Sequence, residues 1–358
     1  MKVFADEGPW LFGRRIDLAA FGGSALLAFA LLGVGAALGI LEADAPDWIW
    51  LGAVLAIDVA HVWATLFRVY LDGSETLRRP LLYLGAPAAL YGLGVLLYGF
   101  GSALFWTVVA YLAVFHFVRQ QVGWVRLYHR RERSMGALRR EDRWLDEAAT
   151  YAATLWPLLW WHGRLPRRFH WMLEGDFVVG LSSEVARWTM PLYAGVLALW
   201  LARQLVRWRG AAPPSPGKVL LVLTTAACWY VGIVALDGDF AFTVTNVLIH
   251  GVPYLVLTYR YGRARAENEA RARTLRRILS AGAAGFLAVV VLLAALEETL
   301  WDRYVWHDRE HLFGRGTSLD SLALALLVPL LALPQLTHYF LDGFVWRRGA
   351  MPTADRGP

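Results

Sequence analysis

The chain has a single cysteine, Cys228, and it lies inside an apolar run. One thiol in such a place excludes disulfides within the chain and any metal site built on several thiolates. Charge is scarce as well. Asp, Glu, Lys and Arg make up 18% of the 358 residues, against about a quarter in soluble domains. No internal repeat is evident, and no small-residue cleavage site follows the first apolar segment. That segment, preceded by Arg14 and Arg15, therefore reads as a retained helix and not as a removable leader.

Apolar sequence takes up the room. Hydrophobic residues make up 57% of the chain and the mean hydropathy is +0.42. The apolar runs are about 20 residues long, enough at 1.5 Å rise per residue to cross a hydrocarbon core. They fall at 18–40, 48–67, 81–99, 103–125, 146–163, 188–206, 218–236, 240–259, 278–297 and 319–341. The expected fold is all-α: one integral membrane domain over 1–358, a polytopic helical bundle of about ten transmembrane helices, in a bacterial inner membrane. The 18 Trp and 14 Tyr suit interfacial belts, with some left to line a pocket.

Basic residues set the orientation. With the N-terminus in the cytoplasm, the inside segments are 1–17, 68–80, 126–144, 203–218, 260–277 and the tail from 342. They hold 27 of the 35 Lys and Arg, the outside segments hold seven, and Arg119 lies within the fourth helix. This asymmetry follows the positive-inside rule and places both termini in the cytoplasm. The net charge of +6 is thus a property of membrane loops, and no nucleic-acid partner is expected. The loop 260–277 reads as a solvated helical extension, 210–217 as a proline-rich linker, and 164–187, with His170, Trp171 and Glu174, as an interfacial segment.

Four histidines stand inside the apolar runs: His61, His116, His250 and His338. Counted to the basic residue at the inner end of its helix, His61 is seven residues from Arg68, His116 ten from Arg126, His250 ten from Arg260 and His338 nine from Arg347. A spread of three residues is roughly 4–5 Å along a helix, so the four share one depth. Intramembrane ionisable groups are costly and point to function, and clustered imidazoles bind metals. Each has polar company three or four residues away on its own face. Asp58 and Thr65 flank His61, Gln120 follows His116, Asn246 and Tyr254 flank His250, and Gln335 and Asp342 flank His338. Carboxylates and amides that accept the second ring N–H of a ligating imidazole fix its orientation. Pro334 is placed to kink the last helix and aim its face.

The expected metal ligands are accordingly His61, His116, His250 and His338, with Asp58, Gln120, Asn246 and Asp342 as auxiliary groups. Arg119, three residues after His116, opposes a metal unless it pairs with a carboxylate such as Asp58 or Asp342 or points at an anionic substrate. His307 and His311 have H-x-x-x-H spacing, which on a helix puts two rings on one face, but their charged outer segment reads as solvated loop. His129 reads as a surface residue, and His162 and His170 lie near the outer interface.

A histidine-rich site without cysteine favours iron among the transition metals. Inside a bilayer such iron suits an apolar lipid or isoprenoid substrate, with an electron donor reaching it from the cytoplasm. In general character the chain resembles the multi-histidine membrane oxygenases, such as the bacterial carotene-cleaving dioxygenases, whose iron is held by histidines on membrane helices. The resemblance is one of type. Their histidine blocks do not recur here, and the H-x-x-H-H boxes of membrane fatty-acid desaturases are absent. The expected function is a membrane-embedded metal-dependent oxidoreductase. The alternatives are a haem protein for electron transfer with histidine axial ligands, a proton- or ion-coupled transporter and a purely structural subunit.

Overall fold

The computed structural model describes residues 3–4, 8–169, 172–268 and 272–347, without the side chains of 73 and 74. His170 and Trp171 lie outside the described residues. The chain is 79% helical, with no strand among the described residues, as an all-α polytopic bundle requires.

Among the described residues, ten long helices follow the apolar runs. They are α1 (Arg14–Leu38), α2 (Asp47–Arg68), α3 (Leu81–Phe100), α4 (Ser102–Ser134), α5 (Arg140–His162), α6 (Ser183–Trp208), α7 (Pro216–Ala235), α8 (Asp239–Asn268), α9 (Gly282–Trp306) and α10 (Ser321–Val345). Their ends carry the expected stop signals. Gly39 ends α1 with a left-handed φ of 72°, a conformation glycine adopts without penalty. Asp320 Oδ1 accepts from the Ala323 amide, 2.8 Å, and caps α10. Among the described residues, nine of the ten are long and apolar enough to cross a membrane. The exception is α5, whose first turns carry Glu141, Asp142, Asp146 and Glu147.

Two helices differ from expectation in ways that matter later. The apolar run expected to end at 297 continues helically to Trp306, so Glu297 and Glu298 lie in a helix and not at a loop border. In α10 the helix is interrupted at Ala332, between Ser321–Leu331 and Leu333–Val345. Pro334 occupies the first turn of the second piece, where its missing N–H costs nothing. This is the break that the proline predicts.

The chain divides into two compact units. The first comprises 54–113 and 254–356, and the second 2–53 and 114–253. In the first unit α3 packs on α10 and α9 packs on α2. A Cβ on Gly94 would stand 3.0 Å from Pro329 Cβ, so glycine allows that close approach. Around fully buried Arg68 the unit closes a polar knot. The guanidinium donates to Tyr261 Oη, 3.0 Å, and to the Val345 carbonyl, 2.6 Å, and it lies 3.3 Å from Glu75. Arg265 pairs with buried Asp72 at 2.6 Å. The stretch after 260 is therefore packed: Tyr261, Ala264, Leu275 and Leu279 are buried, and the expected solvated extension is corrected.

In the second unit α5 packs against α6 and α7, and the acids of α5 find their reason. Lys218 Nζ, fully buried, donates to Glu132, 2.8 Å, and Asp146, 2.5 Å. Asp146 also meets His129 Nε2 at 3.0 Å and accepts from the Trp200 indole at 2.9 Å. Arg203 holds Asp142 at 2.6 Å. Charges removed from water persist only when paired and hydrogen-bonded, and here every acid has a cation beside it. His129, expected at the surface, is 3% exposed; its neighbour Asp146 draws it in.

Candidate metal centre

In the first unit α2 brings His61 and α10 brings His338 together. Their rings stand edge to face with centroids 4.9 Å apart, and both are buried. Directly before His61, residues Trp50–Val59 of α2 form a wide π-helical stretch, a device frequent at functional sites. It leaves Asp58 Oδ1 3.5 Å from His61 Nδ1. Thr65, one turn further on, shares a 2.9 Å hydrogen bond with His338 Nδ1. Tyr254 of α8 completes the group. Its ring lies 4.9 Å from His338 and 5.7 Å from His61, and its hydroxyl donates to Asp342 Oδ1 at 2.7 Å. Asp342 also accepts from Trp346 Nε1 at 3.1 Å. Of the eight residues that the sequence assigns to one site, Asp58, His61, His338 and Asp342 lie in this group.

In the second unit α4 and α8 bring His116 and His250 together, again edge to face, with centroids 5.1 Å apart. Both rings are buried. Phe117 stacks on His250 at 3.7 Å with 5° between the planes. Gln120 donates to the His250 backbone carbonyl at 3.4 Å, and its Oε1 has no hydrogen-bond partner among the described residues. Asn246 lies in a second π-helical stretch, Thr243–Val247. Its amide donates to Thr245 Oγ1, 2.9 Å, and back to Phe242 O, so it braces its own helix. Arg119 donates to Tyr151 Oη at 2.5 Å.

The outer histidines share no helix face and are exposed, in keeping with the solvated segment expected of them. His307 ends α9's last turn at φ 58°, and His311 sits in a separate short helix, Glu310–Phe313. One polar feature went unread in the sequence. Glu297, 3% exposed, accepts from the indoles of Trp63, 2.7 Å, and Trp301, 3.2 Å. The signal was present as a Glu-Glu pair closing an apolar run, but reading 298 onward as loop hid it.

No family model matches the chain, and neither a curated protein nor a solved structure matches it.

Proposed function

We propose that the protein is a membrane-embedded, metal-dependent oxidoreductase of the oxygenase type, in which His61, His116, His250 and His338 hold a transition metal, iron by preference. The observation that carries this reading is the ring spacing within each pair. With metal–nitrogen bonds of about 2.0–2.1 Å, two imidazoles at right to tetrahedral angles on one ion have ring centres roughly 4.4–5.1 Å apart. The two pairs stand at 4.9 and 5.1 Å. The common depth counted along the sequence supports treating the four rings as one ligand set.

The surrounding residues suit that role. Asp58 stands 3.5 Å from His61 Nδ1, and Thr65 shares a hydrogen bond with His338 Nδ1; with Thr65 accepting that bond, His338 Nε2 is left for a metal. Gln120 and Asp342 add oxygen atoms, and Asn246 stiffens the helix that carries His250. Bound iron would supply dioxygen activation. Inserting one oxygen atom of O₂ into a C–H bond releases the other as water and consumes two protons and two electrons, the latter from a cytoplasmic donor. A lipid or isoprenoid is the substrate class that a buried intramembrane site can reach.

The same spacing favours a bare ion over haem. Axial histidines face each other across a flat macrocycle, and an edge-to-face pair with centres 4.9 Å apart leaves no slot for one. Elemental analysis and an optical spectrum of the detergent-purified chain test the reading. The expected result is stoichiometric transition metal without a Soret band. Metal-free protein, or a Soret band, contradicts it.

A further inference from the structure

Within the first unit a cavity of about 430 Å³ opens between α2, α3 and α10. Its size falls in the range of about 300–1,000 Å³ typical of small-molecule sites. Its floor and rim differ in kind. At the floor lie Thr65 and Thr337, both buried, while Leu84 and Leu330 at the rim are 55% and 50% exposed. In a chain that spans a membrane those rim side chains meet hydrocarbon. The backbone explains the opening: α10 is interrupted at Ala332, and Leu333 and Pro334 just beyond the break form one wall.

No charged side chain lines the cavity. A phosphate or carboxylate head would find no counter-ion in it, whereas an apolar chain matches both the walls and the surroundings of the rim. The phenol of Tyr70, on the wall, is already used, donating to the Tyr83 carbonyl at 2.8 Å, and burial pushes it up to about 12. Of the two hydroxyl residues at the floor, Thr65 shares a hydrogen bond with His338 Nδ1. The cavity thus runs from the lipid-facing surface to the residue that holds a histidine of the candidate centre.

We propose that this cavity receives one hydrocarbon chain of a membrane lipid, which slides in sideways past Leu84 and Leu330 and ends at Thr65 beside His338. The assignment deepens the oxygenase reading and rests on it for the reaction at the chain's end, but the binding of the chain is separable from the metal.

The test uses the full-length protein in lipid nanodiscs with two photoreactive probes: a fatty acid and a phosphatidylcholine, each carrying a diazirine on its acyl chain. Adducts should concentrate on residues 84–87 and 330–337. Leu333→Trp, which fills the cavity, should reduce them at least five-fold. Leu84→Trp at the rim serves if the first variant fails to fold, and Leu292→Trp, exposed on α9, should change nothing. Labelling by the fatty acid alone identifies a free acid as the source, and labelling by both identifies a bilayer lipid. Adducts spread evenly over the exposed faces of α3, α6 and α9, unaffected by Leu333→Trp, overturn the proposal. Metal is measured in the same samples. Site-specific adducts on metal-free protein would keep the cavity and refute the metal centre.

Discussion

The two histidine pairs have the same geometry and unlike surroundings. His61 and His338 sit among groups that accept or share protons: Asp58 at 3.5 Å, Thr65 at 2.9 Å and the Tyr254–Asp342 pair. His116 and His250 sit against an aromatic face and an amide, with Phe117 stacked at 3.7 Å and Gln120 at the backbone of His250. In the first pair a hydrogen bond with Thr65 holds the His338 ring, and in the second Phe117 holds the His250 ring by stacking. The lesson is that the imidazoles of a buried site can be fixed in two ways, and only the first way couples the ring to a proton. On this account the first pair tunes ligand basicity and handles protons, while the second supplies rigid ligation.

Removing a ring separates this account from a structural one most strongly. His250→Ala should lower bound metal more than ten-fold while the protein still folds, as judged by elemental analysis of a monodisperse sample. Lys218→Met makes the contrast. Breaking a buried ion pair by removing one partner costs about 3–5 kcal/mol, so Lys218→Met should lower the thermal midpoint sharply. The fraction that stays folded should keep its metal, because Lys218 bonds Glu132 and Asp146 and no histidine of the pairs. If Lys218→Met empties the site of folded protein, the two regions are one functional network.

Smaller changes sharpen the comparison of the pairs. Asp58→Asn and Asp342→Asn should weaken metal binding by about 10–100-fold, the usual effect of losing a carboxylate that supports a ligating imidazole. Thr65→Val removes one hydrogen bond to His338, worth about 1 kcal/mol, and should weaken binding only a few-fold. Phe117→Leu, which removes a stacking contact worth about 0.5–1.5 kcal/mol, should loosen His250 and broaden its spectroscopic signature with the least change in affinity. An effect of Phe117→Leu larger than that of Asp58→Asn would reverse the assignment of roles.

The helical architecture was legible because hydrocarbon leaves a chain few options: apolar runs of spanning length must satisfy their own backbone as helices. The basic-residue asymmetry also gave an orientation, which reporters fused at Arg209 and Arg315 should read as cytoplasmic and external respectively. Two of the pairings were legible in part. The depth count singled out four histidines that the structure brings together as two buried ring pairs, and the i to i+3 and i+4 spacings found Asp58 and Thr65 beside the first pair. Spacing on a regular helix says less where the helix is not regular. Asn246 lies in a π-helical stretch, and its amide nitrogen bonds Thr245 and Phe242 on its own helix. Charge patterning failed in another way. Lys218 read as a loop charge and His129 as a surface residue because each is judged alone in a sequence, while in the fold they meet the acids of α4 and α5. Glu297 was missed for the same reason: its indole partner Trp63 lies 234 positions away.

The central claim is that four imidazoles share one ion, and the metal-to-chain ratio of the wild type and the four single alanine variants at His61, His116, His250 and His338 tests it most directly. The account predicts one transition-metal ion per chain and its loss from every variant. Two ions, each lost only with its own pair, or a ratio that no histidine substitution changes, would contradict it.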